Sequence, residues 1–375
     1  MPLTDIASVA DDCGEPTAKR SELLNRRLGN RVPVRFSVFI PAYNDARWLP
    51  GTIESVLAQT HQDWELVVGD NASEKDLQSI VAAYGDERIR YHRFDTHVDL
   101  VDNHNRTLAL CRFEWLNLLS ADDRLDPNCL ATMAARIEEL QAAGTTPAMV
   151  LTACRPVDED GRPATYEFSR SWAIKRLDDG LYDGRAWLHH IAAPGQVPWN
   201  VGSLAVSRDV IEVMGGYYRT EIGLSVDIDM ALRVSAYGPV AYIDQPLLDY
   251  TVRSGGMNKE VARKDRARAR MTSHGAVLRS GLAVHEARRQ VGDDERRYVR
   301  RMIAQSFIGR ALQHRYLPDG GGRRGAIGNA ARAFRYDPTW FFDGRQALRG
   351  LAAVVAPTRL IVGTKERFRA RGSTF

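Results

Sequence analysis

Residues 114–123 read Glu114-Trp115-Leu116-Asn117-Leu118-Leu119-Ser120-Ala121-Asp122-Asp123. An apolar run of strand length stops at two adjacent carboxylates, which predicts a buried strand, Glu114–Leu119, opening into a polar loop. Neighbouring carboxylates repel, so a strand end that concentrates them suits a cation, and all-oxygen ligation suits Mg2+ or Mn2+. The same pair ahead of Leu125-Asp126-Pro127 also fits a helix N-cap. Both readings stand at this point.

Outward from this stretch the pattern repeats. Phe36–Ile40 is a β-branched and aromatic run stopped by Pro41, and Leu49–Gln59 has helical spacing, with Thr52 or Asp45 as caps. Trp64–Val68 is a second buried strand, entering the turn-rich Gly69-Asp70-Asn71-Ala72-Ser73 and then a helix to about Tyr84. A strand at Ile89–Phe94 and a helix at Asn105–Cys111 complete the first half. Strand, loop, helix and strand in short succession predict a mainly parallel α/β sheet flanked by helices. Further strands are expected at Ala148–Ala153, Val201–Ser207 and Val240–Ile243, with helices at Leu130–Ala143 and Asp229–Tyr237; residues 155–200 show no clear period.

Open α/β sheets bind ligands beyond the carboxyl ends of their strands. Three such ends carry candidates: Tyr43 and Asn44, Asp70, and Asp122 with Asp123. Asp70 before Asn71 also fits a turn held by its own side chain. Of Asp227 and Asp229, one suits a helix cap and the other a general base facing a cleft.

At 375 residues and 44% hydrophobic, the chain has the means for one large domain with an appendage, and disorder throughout is excluded. Cys13, Cys111, Cys129 and Cys154 are scattered with no CxxC pair, so neither a disulfide framework nor a zinc site is indicated. The absence of a spanning apolar run or a signal-peptide pattern predicts a cytoplasmic protein. The net charge of +4 averages two unlike parts. From Arg253 onward 27 Lys+Arg face 10 Asp+Glu, a net of +17, and residues 1–252 carry −13. The basic third admits solvated helix faces or contact with an anionic membrane; aromatic platforms for nucleic acid are sparse between Met257 and Arg297. Leu348–Val362, followed by Lys365, Arg367, Arg369 and Arg371, has the composition of a lipid-facing amphipathic segment.

Taken in order, Ser37–Asn44, Ser55–Thr60, Trp64–Ser73, Asn103-His104-Asn105-Arg106, Leu119–Asp123 and Asp227–Arg233 closely resemble the successive motifs of family 2 glycosyltransferases. The resemblance covers about residues 36–256. It implies a GT-A fold, Rossmann-like, with a mostly helical C-terminal extension. The expected organisation is a variable extension at 1–34, a GT-A domain at 35–256 and an Arg-rich helical region at 257–375.

The resemblance further implies an inverting transfer from a nucleotide-sugar donor to a glycan or lipid-linked acceptor, at the inner membrane face in bacterial surface polysaccharide synthesis. Pro41, Ala42, Tyr43, Asn44, Asp70 and Asp122 would line the nucleotide site, Asp123 would hold Mg2+ or Mn2+, and Asp227 would be the base. The family's acidic residue before the base is Val226 here, its histidine is Arg253, and its commoner aspartate before Asp70 is Gly69. Arg253 would clamp the diphosphate. Trp172, Trp199 and Gly202 are the acceptor candidates, beside Trp187, His189 and His190. An inactive GT-A-like scaffold is the alternative.

Overall fold

The apolar runs assemble into one sheet. The computed structural model describes residues 34–164, 173–174, 176–192, 196–197, 199–253, 277–288, 291–314 and 322–339. In it, β1 (Phe36–Ala42), β2 (Trp64–Asp70), β3 (Ile89–Arg93) and β4 (Trp115–Leu118) run parallel in the order β3–β2–β1–β4. All of β2 is buried, and all of β1 except Pro41, as a central parallel sheet requires. The connecting helices are α1 (Leu49–Leu57), α2 (Leu77–Ala82) and α3 (Leu100–Leu108). Helix α3 starts five residues before the predicted Asn105, because the Asp99 side chain accepts the Asp102 N–H (2.9 Å) and caps it.

The sheet continues through β5 (Arg124–Leu125), β6 (Met149–Val157), β8 (Gly180–Tyr182), β10 (Leu204–Ser207) and β11 (Val240–Thr251). Strand β10 lies antiparallel between β4 and β6; β11 runs parallel to β6 and antiparallel to β8 and β5. A separate parallel pair joins β7 (Ala173–Ile174) to β9 (Gln196–Val197). Helices α4 (Cys129–Ala142), α5 (Gly184–Ala192), α6 (Arg208–Met214) and α7 (Val226–Val234) complete this part. Strand β11 extends eight residues past the predicted Ile243. It does so by two register shifts against β6 flanking Pro246, a residue that cannot donate to a ladder. The core beneath the first strands packs Phe36, Ile40, Leu66 and Trp64 with Trp115.

The chain divides into two units, one comprising residues to 187, 195–221 and 226–253, the other 188–194, 222–225 and 254 onward. Within the second, the described residues are helical: a stretch at 277–287, α8 (Asp293–His314) and α9 (Gly322–Tyr336). Phe307 of α8 stacks on Tyr336 of α9 (5.6 Å), and the Arg279 guanidinium donates to the Tyr336 hydroxyl (3.2 Å). Among the described residues no helix is long and apolar enough to cross a membrane. The N-terminal segment, Trp172 and the Leu348–Val362 segment lie outside the described residues.

Candidate active site

The loops leaving β1 and β2 are zipped together. Asn44 adopts φ 58°, a left-handed conformation that asparagine tolerates. Its Oδ1 accepts the N–H groups of Glu74 (2.9 Å) and Lys75 (3.3 Å), and its own N–H donates to Ser73 Oγ (2.9 Å). Asp70 is 1% exposed. Its Oδ1 accepts the Ser73 N–H (2.9 Å), realising the turn reading, and its Oδ2 accepts the Tyr91 hydroxyl (2.6 Å) and the Arg93 guanidinium (3.2 Å). Burial, then the Asp70 carboxylate, pushes the Tyr91 pKa up, so that hydroxyl stays a donor. Tyr43, 42% exposed with its ring 4.4 Å from that of His97, offers an aromatic face at the end of β1.

The carboxylates after β4 are built differently from a helix cap. The next helix, α4, starts only at Cys129, with β5 intervening, so the N-cap reading of Asp122 and Asp123 is not realised. Asp123 is fully buried; its Oδ1 accepts the Thr251 N–H from the end of β11 (2.9 Å). Its Oδ2 is buried without a hydrogen-bond partner among the described residues. Burial, then Asp122, pushes the Asp123 pKa well up; the Thr251 N–H, Ser120 and Arg253 offset part of this.

Arg253 lies across the neighbouring carboxylates, with Nε 3.0 Å from Asp122 Oδ2 and a terminal nitrogen 3.5 Å from Asp45 Oδ1. Burial raises both the Asp122 and the Asp45 pKa, and Arg253 opposes each shift. Sequence reasoning gave Asp45 only a capping role. Its side chain instead accepts the Tyr43 N–H (3.0 Å), while its backbone carbonyl receives the N–H groups of Trp48 and Leu49. Thr52 is no cap either. Its hydroxyl donates to the Ala121 carbonyl (2.7 Å), and the Ser55 hydroxyl accepts the Leu125 N–H (3.2 Å), so α1 holds the loop that presents Asp122 and Asp123.

This donor set fits a hard cation in one way. No group of three or more His, Cys, Asp or Glu among the described residues gathers to hold a metal ion by itself. Asp123 Oδ2, which has no hydrogen-bond partner among the described residues, could supply one ligand to such an ion, with the rest of its shell coming from outside the protein.

On α7, Asp227 stands half-buried in the first turn, and burial pushes its pKa up to about 6, partly offset by backbone N–H groups at Ile228 and Asp227. Such a carboxylate is ionised at neutral pH yet holds a proton better than an exposed aspartate. Asp229 is committed elsewhere. Fully buried, it receives Arg233 Nε (2.7 Å), and the same guanidinium reaches the carbonyls of Gly216 (3.3 Å) and Tyr217 (2.5 Å).

Residues 37–177 match the family model described as Glycosyl transferase family 2. Over that stretch the chain is similar to glycosyl transferase family 2. It is 27% identical over 213 residues to an uncharacterized protein of Mycobacterium tuberculosis, covering 56% of this chain and 65% of that one. It is 40% identical over 108 residues to a PGL/p-HBAD biosynthesis glycosyltransferase of Mycobacterium bovis, covering 28% of this chain and 42% of the relative. The chain thus spans less than two thirds of the length of either relative. Among solved structures it is similar in fold to S. aureus TarS residues 1–349 in complex with UDP-GlcNAc, with TM-score 0.51, 14% identity, and coverage of 82% of this chain and 92% of TarS 1–349. The fold is GT-A, a mixed, mostly parallel sheet flanked by helices, with a helical C-terminal part.

The family match encloses Pro41 to Asn44, Asp70, Asp122 and Asp123, while Asp227 and Arg253 lie beyond it. The fold brings Arg253 to Asp122 all the same. Two acceptor candidates turn out to be packed. Trp199 is 3% exposed and stacks on the fully buried Trp187 (5.6 Å, 22°), so its ring is no open platform. Gly202 sits in a 3-10 turn capped by Asn200, where a Cβ would approach Leu248 and Leu119 to 3.0 and 3.1 Å. Close packing accounts for that glycine. Gly69 is explained in the same way, since a Cβ there would collide with the Thr107 side chain of α3.

Proposed function

We propose that this chain transfers a sugar from a nucleoside diphosphate donor to an acceptor hydroxyl by single displacement with inversion. The observation that carries this reading is the meeting of Tyr43, linked through Asp45, with Asp122, Asp123 and Arg253 at the carboxyl end of the sheet, one carboxylate oxygen of Asp123 having no partner among the described residues. Tyr43 and the Asp70 loop would receive the nucleoside, and Asp122 the ribose or sugar. Arg253, released from Asp122, would clamp the diphosphate through its fork of donors. Asp123 would hold Mg2+ or Mn2+, which when bound would neutralise charge developing on the departing diphosphate. Asp227 would take the acceptor proton as the hydroxyl attacks the anomeric carbon from the face opposite the leaving group. A single base meets this need, unlike the paired carboxylates of glycoside hydrolysis.

For the acceptor we infer a glycan or lipid-linked glycan handled at the cytoplasmic face of the membrane. The name of the M. bovis relative, a glycosyltransferase of PGL/p-HBAD biosynthesis, supports that class. The +17 balance after residue 252 supports attraction to an anionic surface. A thermal-shift panel of UDP-, GDP- and dTDP-sugars with and without Mn2+ tests the donor reading, because a ligand bound only by the folded state raises its melting temperature. One donor is expected to stabilise the wild type in a Mn2+-dependent way and to lose that effect in Asp123→Ala. Equal Mn2+-dependent stabilisation of wild type and variant would remove Asp123 as the metal ligand. Flotation with liposomes containing or lacking anionic lipid tests the surface; equal recovery in the soluble fraction with both counts against it.

A further inference from the structure

The motif Asn103-His104-Asn105-Arg106 occupies the middle of α3, and two consecutive side chains of it reach in different directions. Asn105 grips the backbone of one residue far away in sequence. Its Nδ2 donates to the Tyr218 carbonyl (2.9 Å), and its Oδ1 accepts the Tyr218 N–H (3.0 Å). Such a two-bond clamp imitates a strand pairing and fixes both position and orientation of the peptide. The clamped segment is the one that α7 holds from the other side, since the Gly216 and Tyr217 carbonyls receive Arg233, which is locked to Asp229. Asp227 stands on that same helix, and the buried rings of Tyr217 and Tyr218 lie near enough to interact with its charge.

Arg106 faces the nucleotide side. Its Nε donates to Asn103 Oδ1 (3.1 Å), one terminal nitrogen donates to the Thr96 carbonyl (3.0 Å), and the other donates to Asn71 Oδ1. The guanidinium lies 3.8 Å from the Phe94 ring centroid. Asn71 in turn holds Val98 by two hydrogen bonds, donating to its carbonyl and accepting its N–H (2.9 Å each), and donates its own N–H to the Ala42 carbonyl (2.9 Å). The loop at 94–98, which carries His97 against Tyr43, is thereby tied to the ends of β1 and β2.

We propose that Asn105 and Arg106 are positioning residues that fasten the two halves of the site to one helix, Asn105 setting the segment behind the acceptor base and Arg106 setting the nucleotide loop. This rests on the reading of Asp227 as base and of the β1 and β2 ends as the nucleotide side. The division of labour separates chemistry from donor binding. Small displacements of a catalytic group lower turnover steeply, whereas a loosened nucleotide loop weakens affinity.

The test compares Asn105→Ala, Asn105→Asp and Arg106→Ala with wild type in three measurements. Hydrogen exchange is followed in peptides covering 215–221 and 94–99. Calorimetry gives the affinity for UDP and for GDP with Mn2+, and kcat is measured on the nucleotide sugar that the wild type turns over fastest. Asn105→Ala should speed exchange at 215–221 and lower kcat on the order of ten- to a hundredfold, with nucleoside diphosphate affinity within about twofold of wild type. Asn105→Asp keeps the acceptor for the Tyr218 N–H but sets a carboxylate oxygen against the Tyr218 carbonyl, so exchange and kcat should lie between those of Asn105→Ala and wild type. Arg106→Ala should speed exchange at 94–99 and weaken nucleotide affinity about tenfold or more while leaving kcat at saturating donor nearly unchanged.

Faster exchange at 215–221 with normal kcat would overturn the proposal, as would parallel loss of affinity and kcat in both alanine variants. Wild-type turnover in Asp227→Asn would instead reject the base assignment and leave the exchange result standing.

Discussion

Replacing Asp227 by asparagine should slow transfer and stabilise the fold at the same time. Burial raises its carboxyl from the ordinary aspartate value near 4 to about 6. A shift of about two units corresponds to about 3 kcal/mol between the charged and neutral forms, and contact of the half-buried side chain with water reduces this to about 1–2 kcal/mol. The sign follows from linkage. An acid whose folded-state pKa is raised costs no stability below about pH 4, where both states are protonated; the cost grows between pH 4 and 6 and is constant above.

Asp227→Asn escapes that cost, so at pH 8 its melting temperature should exceed the wild type's by about 3–6 °C, with a smaller gap at pH 5. Wild-type transfer should fall about tenfold per pH unit below pH 6, as the base takes up its proton. Scanning calorimetry at the two pH values and a pH series of initial rates check both halves. A flat rate between pH 5 and 8, or a variant less stable than wild type at pH 8, would refute the reasoning.

Other predictions rest on single contacts. Arg233→Met leaves the Asp229 carboxylate buried without its partner and should cost about 3–5 kcal/mol in urea denaturation; a loss below about 1 kcal/mol would contradict the buried pair. Gly69→Ala pushes a methyl into Thr107 and should destabilise by about 1–3 kcal/mol, with Gly69→Ala/Thr107→Ser recovering part of it if the clash is the cause. Asn44→Ala loses the side-chain oxygen that receives Glu74 and Lys75 and leaves a β-carbon at φ 58°. It should cost about 1–3 kcal/mol and weaken nucleotide-dependent thermal stabilisation; an unchanged melting temperature would count against the zipped loops.

The first half of the sheet was legible because its strands are buried on both faces and therefore read as unbroken apolar runs. Trp64–Asp70 is the clearest case, and the aspartates at or after strand ends marked the carboxyl end of the sheet. Strand β11 was shortened to Val240–Ile243 because Asp244, Gln245 and Pro246 break every strand pattern, and only the register shifts against β6 show how the chain passes them. The start of α3 was missed although Asp99, three residues before Asp102, is a capping signal in the sequence. Within the site, Asp70, Asp122 and Asp123 were visible as strand-end carboxylates. Arg253 was named as a diphosphate clamp, but its pairing with Asp45 was not foreseen, since the two residues lie 208 positions apart. For Trp199 the sequence showed an indole in an aperiodic stretch but not its stacking on Trp187, which joins two rings twelve positions apart.

The reach of β11 also dictates when the site can exist. Asp123 finds the Thr251 N–H 128 residues downstream, and Arg253 arrives two residues later. Contacts so distant along the chain close late, because the entropy of the intervening loop is lost before they form. During synthesis, the parallel strands β1 to β4 can pair while the ribosome is still far from residue 251. A nascent chain ending with the family-matched stretch at residue 177 would carry both aspartates but neither the amide that orients one nor the guanidinium that neutralises the other. The candidate site is thereby completed only once β11 has been made.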